Sequence, residues 1–157
     1  MSSEQEVSEL TMKPVLFTIG YENKSIDQVA EVLTRQKVKT VLDVRENPFS
    51  WKKDFRNSVL ERHLTDRGFK YVHLPELGAP RTIRQDLKKG KSYAVFFQQY
   101  SEHLRDQQEC LVKLADIVQN ETCCLLCLEH DASKCHRGVL AGEIKRIEGN
   151  GLEIVDL

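Results

Sequence analysis

Residues 123–137 gather most of the side chains that could do chemistry: Cys123, Cys124, Cys127, Glu129, His130, Asp131, Cys135, His136 and Arg137. The stretch opens as an apolar run, Cys123 to Leu128, and turns polar at Glu129. It closes with Cys135, His136 and Arg137, just ahead of a helical pattern. A thiol at a helix start beside cationic side chains has its thiolate favoured, which makes Cys135 a candidate nucleophile. Glu129 is a candidate general acid or base. Arg137, with His136 beside it, suits an anion, because free N–H groups and the helix dipole favour negative charge at that position. Cys123, Cys124 and Cys127 lie inside the apolar run and read as core.

Three further positions join this set. Asp43 and Arg45 follow a short run, Thr40-Val41-Leu42, and Glu76 follows another, Phe69 to Leu74. Asp43 is a second candidate acid or base. Arg45 can grip a phosphate or carboxylate with two parallel N–H donors. Either arginine could instead pair internally with Asp43 or Glu129. The Cys-to-Arg spacing of a cysteine-dependent phosphatase is absent for both Cys127 and Cys135. A zinc site drawn from Cys124, Cys127, His130, Cys135 and His136 is weighed and set aside. Cys124 and Cys127 would face opposite sides of a strand, and no second close pair completes a tetrahedron. The reading therefore assigns no metal and no cofactor.

These positions must be held by regular elements. Val15 to Ile19, Thr40 to Leu42, Phe69 to Leu74, Cys123 to Leu128 and Leu152 to Val155 read as strands. Ser25 and Gln28 form a capping box ahead of Ile26, Val29, Ala30 and Leu33 at helical spacing. Phe55, Val59, Leu60 and Leu64 mark a second helix, and one or two helices fill 92–119. A last helix runs from about 136 to 148, with Gly149 ending it. Residues 81–91 are basic and weakly patterned. Strands alternating with helices predict an α/β fold, a single-domain three-layer sandwich with a mainly parallel sheet. In such a sheet, ligands bind beyond the carboxyl ends of the strands, where the polar candidates all gather.

The totals agree. A chain of 157 residues, 40% apolar and 30% charged, suits one soluble domain. Residues 1–13 read as a flexible tail and 14–157 as a single α/β domain. No apolar run approaches the roughly 20 residues that span a bilayer, so no membrane association is expected. The polar N-terminus lacks a signal-peptide pattern, and the clustered odd cysteines suit reduced thiols. A cytoplasmic location is the expectation. Residues 51–91 hold eleven Lys or Arg against five Asp or Glu, a balance of +6, on a chain of net charge −1. That asymmetry suggests an anionic ligand on one side.

Taken in order, several motifs form a recognisable set. They are Phe17-Thr18-Ile19-Gly20-Tyr21, Leu42-Asp43-Val44-Arg45-Glu46-Asn47-Pro48, Leu74-Pro75-Glu76-Leu77-Gly78, and Cys127-Leu128-Glu129 with Cys135-His136-Arg137. The ordered set resembles domain-of-unknown-function family 488 over nearly the whole chain past residue 13. The resemblance implies a fold and a set of polar positions, here Asp43, Arg45, Glu76, Glu129, Cys135, His136 and Arg137. It implies no reaction.

Two functional expectations follow. One is an enzyme acting on a small phosphorylated or nucleotide-like substrate at the carboxyl edge of the sheet. Arg45 and Arg137 would converge on the anion, Asp43 or Glu129 would move the proton, and Cys135 would be the nucleophile. The other is a non-catalytic module that binds nucleic acid through 51–91, with Trp51, Phe55 and Tyr71 as stacking residues.

Overall fold

The computed structural model describes residues 14–48, 50–149 and 151–157. The expected tail, residues 1–13, lies outside the described residues. The strands are β1 (Val15–Gly20), β2 (Thr40–Asp43), β3 (Lys70–His73), β4 (Cys123–Cys127) and β5 (Glu153–Asp156). All pair in parallel, in the order β3-β2-β4-β1-β5. The register sets Gly20 beside Cys127, and Asp43 beside both Leu126 and His73. The chain therefore leaves β1, β2, β3 and β4 at one edge.

Helices cover both faces. One layer holds α1 (Ile26–Arg35) and α2 (Asn57–Asp66). The other holds α3 (Arg81–Lys88), α4 (Tyr93–Arg105), α5 (Gln108–Asn120) and α6 (His136–Glu148). Strand side chains alternate between them. Phe17, Ile19, Val41, Cys124 and Leu126 pack with α1 and α2, while Leu16, Leu42, Cys123 and Leu125 pack with the other layer. Burial on both sides explains why the strands read as continuous apolar runs.

Local signals set the helix ends. Ser25 accepts from the Gln28 N–H at 3.1 Å and the Gln28 side chain accepts from the Ser25 N–H at 2.8 Å, completing the capping box. Gly149 takes φ 68° at the end of α6, a conformation that costs glycine little. Residues 92–119 form two helices, broken at Asp106 and Gln107. The weakly patterned 81–91 stretch contains a helix, α3, with Pro80 as its N-cap residue. Only Ile83 of α3 is buried, so its apolar period is nearly silent in the sequence.

The topology also opens the site. The helices after β1 and β2 cover one face, and the helix after β4 covers the other. The chain leaving β4 thus parts from both of its neighbours, and a crevice opens at its carboxyl end.

Candidate functional site

A cavity of about 260 Å³ occupies that crevice. Tyr21 and Arg45 reach it from β1 and β2, and Cys127, Glu129, Lys134, Cys135 and His136 reach it from β4 and the following loop. Arg84, Lys88, Tyr93 and Phe96 wall it from α3 and α4. Its volume is near the lower end of ordinary small-molecule sites, roughly 300–1,000 Å³.

His136 is held firmly at the cavity floor. Its Nε2 lies 2.7 Å from the Val44 carbonyl, and its ring meets Tyr100 edge-on at 5.1 Å between centroids. A carbonyl can only accept, so Nε2 carries the hydrogen, and in the neutral ring Nδ1 presents a lone pair. Nδ1 points between two sulfurs, 3.8 Å from Cys127 Sγ and 3.8 Å from Cys135 Sγ. The Glu129 carboxylate accepts from the Cys127 thiol at 3.3 Å. Burial disfavours charge on His136, but Cys135, the Val44 carbonyl and Glu129 outweigh it and raise its pKa.

Cys135 caps α6, its sulfur accepting from the Arg137 N–H at 3.5 Å. The sequence placed it correctly, yet the expected thiolate is opposed. Burial pushes the Cys135 thiol well above the ordinary range, and Cys127 adds to the rise. The His136 imidazole, which pulls the other way, is the weaker influence. Cys127, read as plain core, is the residue that sequence reasoning missed. It ends β4 on the α6 side, where a strand residue can both pack and reach a cavity. The argument against metal paired it with Cys124, which indeed faces the opposite layer. Cys127 instead meets Cys135 and His136, with their three ligand atoms within 4.8 Å of one another.

Asp43 and Arg45 form an internal pair. Arg45 Nε donates to Asp43 Oδ1 at 2.7 Å and Nη2 to Oδ2 at 2.6 Å. Nη1 donates to Tyr21 Oη at 3.2 Å and to the Phe55 carbonyl at 2.8 Å. Burial works against the guanidinium charge, and Asp43 more than offsets it, so Arg45 stays above its ordinary value. The Tyr71 hydroxyl donates to Asp43 Oδ2. Burial and then the Asp43 charge keep that phenol well above its usual range. Asp43 is buried and does not line the cavity, whereas Arg45 does.

Arg137 departs from expectation. It is 0% exposed, and its guanidinium donates to Thr18 Oγ1 and to the carbonyls of Glu129 and His130. It ties the loop after β4 to β1 and does not line the cavity. The two arginines therefore do not meet across one ligand in this fold. Gly20 makes the tie feasible, since a Cβ there would sit 1.7 Å from the Glu129 carbonyl oxygen. Glu76 lies at the same sheet edge, but its side chain is exposed and outside the cavity.

The basic stretch is divided by the sheet, with 52–67 in the α2 layer and 81–91 in the α3 layer. Several of its charges are paired: Arg67 with Asp27, Lys70 with Glu121, Arg84 with Glu46 and Lys91 with Asp86. Trp51 is 91% exposed, but Phe55 is 1% exposed and stacked on Tyr21 at 4.3 Å. Phe55 cannot stack on a base as the nucleic-acid reading requires. Lys88, one of the lysines of that basic stretch, and Lys134, which lies outside it, line the cavity with no ion pair among the described residues.

Fold and site together define a parallel α/β protein with a thiol–imidazole cluster at the carboxyl edge of its sheet. The family described as "Domain of unknown function DUF488" matches residues 25–144, and the chain belongs to it. No curated protein and no solved structure matches the chain.

Proposed function

We propose that the cavity is a catalytic site for a small anionic, nucleotide-like molecule. The observation that carries this reading is a pair of lysines on the cavity lining. Lys88 and Lys134 line the cavity without ion-pair partners among the described residues, and the half-exposed ring of Tyr93 lines it too. Two ammonium groups facing one space favour an anion between them. Tyr93, with Phe96 behind it, offers a flat apolar surface to a heterocyclic base. Glu129 lines the same cavity as general acid or base. Arg45, its charge paired with Asp43, forms a fixed part of the wall. Arg137 supports the Glu129 loop from behind and is a positioning residue.

Calorimetric titration with a panel of nucleoside monophosphates tests this. One or more should bind, more weakly as salt rises. Reversing Lys88 and Lys134 to Glu should abolish that binding. Each charge-assisted contact contributes about 1.5–3 kcal/mol, roughly ten- to a hundredfold in affinity. Both lysines are exposed, so the variant should fold. Failure of the whole panel to bind at low salt, or unchanged binding by the variant, removes the reading.

A further inference from the structure

We propose that Cys127, Cys135 and His136 form a three-ligand site for a zinc-class divalent ion, its fourth position open to the cavity. This goes beyond the anion reading and stands whether or not the cavity takes a nucleotide.

Geometry is the first support. Zinc–sulfur and zinc–nitrogen bonds of about 2.3 Å and 2.0–2.1 Å at tetrahedral angles separate sulfur from nitrogen by about 3.6 Å. Nδ1 of His136 lies 3.8 Å from each sulfur. The three ligand atoms fall within 4.8 Å of one another; each sulfur–nitrogen pair needs a few tenths of an ångström to close onto an ion, and the two sulfurs must stand about 3.8 Å apart.

Orientation is the second, independent support. A ligating histidine usually donates its other N–H to a carbonyl or carboxylate, which fixes the tautomer and aims the free nitrogen at the metal. The contact of His136 Nε2 with the Val44 carbonyl does this, and Tyr100 blocks rotation of the ring. The ligands come from a strand end, a helix cap and the first turn of α6, all rigid positions.

Ligand chemistry narrows the ion. Two thiolates and an imidazole select a soft or borderline cation such as Zn²⁺ over Mg²⁺ or Ca²⁺. Binding is balanced as Zn²⁺ plus two thiols giving a neutral dithiolate complex and two protons released to solvent. Three protein ligands with an open position are the arrangement of catalytic rather than structural zinc. Glu129, beside Cys127 and lining the same cavity, would face whatever occupies the fourth position.

The test uses the full chain, reduced and stripped of metal, titrated with Co²⁺ alone. One Co²⁺ per chain should bind, with the strong visible bands of a tetrahedral ion and a thiolate charge-transfer band. Zn²⁺ should displace it. Cys127→Ser should lose much of the charge-transfer intensity, and Cys110→Ser, in α5, should keep it. Because a buried substitution can unfold the chain, the unaltered protein is also alkylated with and without Zn²⁺. Zn²⁺ should protect Cys127 and Cys135 and leave Cys110 reactive. Absence of stoichiometric cobalt binding by the reduced chain overturns the proposal, even if Cys127 and Cys135 instead oxidise to a disulfide. A charge-transfer band that survives intact in folded Cys127→Ser overturns it as well.

Discussion

Asp43 and Arg45, two residues apart in the chain, close a buried two-pronged ion pair at the end of β2. The pair looks like ligand-binding machinery in the sequence and works as scaffold in the fold. It joins β2 to Tyr21 of the β1 loop and to Phe55, and so fixes one wall of the cavity. Asp43→Asn leaves the Arg45 charge buried without its partner. Such a loss costs about 3–5 kcal/mol. Urea denaturation should show a drop of that size. A loss below about 1 kcal/mol, the range of a solvated surface pair, would contradict the scaffold role.

Gly20 and Arg137 both meet the Glu129 carbonyl. Gly20→Ala pushes the Glu129 carbonyl off its seat and should destabilise the protein by about 1–3 kcal/mol, the usual range for overpacking. Arg137→Lys keeps the charge but cannot reach Thr18, Glu129 and His130 together, because an ammonium lacks the planar fork. Its melting temperature should fall, while its nucleotide affinity should change far less than that of the lysine reversals. Loss of affinity without loss of stability would return Arg137 to the ligand-binding set.

Glu121 gives a pH signature away from the site. It accepts from Lys70 Nζ at 2.8 Å and from the Thr40 hydroxyl, joining β2 and β3 to the start of β4. Lys70 first, then Thr40, hold its carboxyl below the ordinary 4.5. A folded pKa below the unfolded one adds stability that is complete above the unfolded value. That stability is lost as pH falls through the lowered folded value. Glu121→Gln should therefore lose less stability than the parent on acidification, by a modest amount because the pair is partly solvated. Parallel stability–pH curves for the two proteins would show that the pair contributes nothing.

The architecture was legible because each strand–loop–helix unit carries its own punctuation. Ser25 with Gln28, Gly68 and Gly149 mark ends that the fold uses. The edge holding Asp43, Arg45, Glu76, Glu129 and Cys135 followed from the parallel order alone. Roles were less legible, because they depend on which side of the sheet a side chain leaves and on what is already paired. Asp43 and Arg45 face the α1–α2 side, Cys135 and His136 the other, and no local pattern reports their partners. Cys127 was hidden by its apolar neighbours. Lys88 was legible as part of the basic stretch, but its place on the cavity wall was not, because α3 has one buried residue to set its face. Lys134 was hidden in a short loop, where one lysine looks like solvated charge.

The central claim is that one cavity at the carboxyl end of β4 takes an anionic, nucleotide-like ligand. A crystal structure with the tightest-binding nucleoside monophosphate of the panel tests it most directly. The account predicts a phosphate within hydrogen-bond distance of Lys88 and Lys134, the base against Tyr93, and Glu129 facing the ligand. A ligand bound elsewhere on the chain, with this cavity empty at saturating concentration, would contradict it.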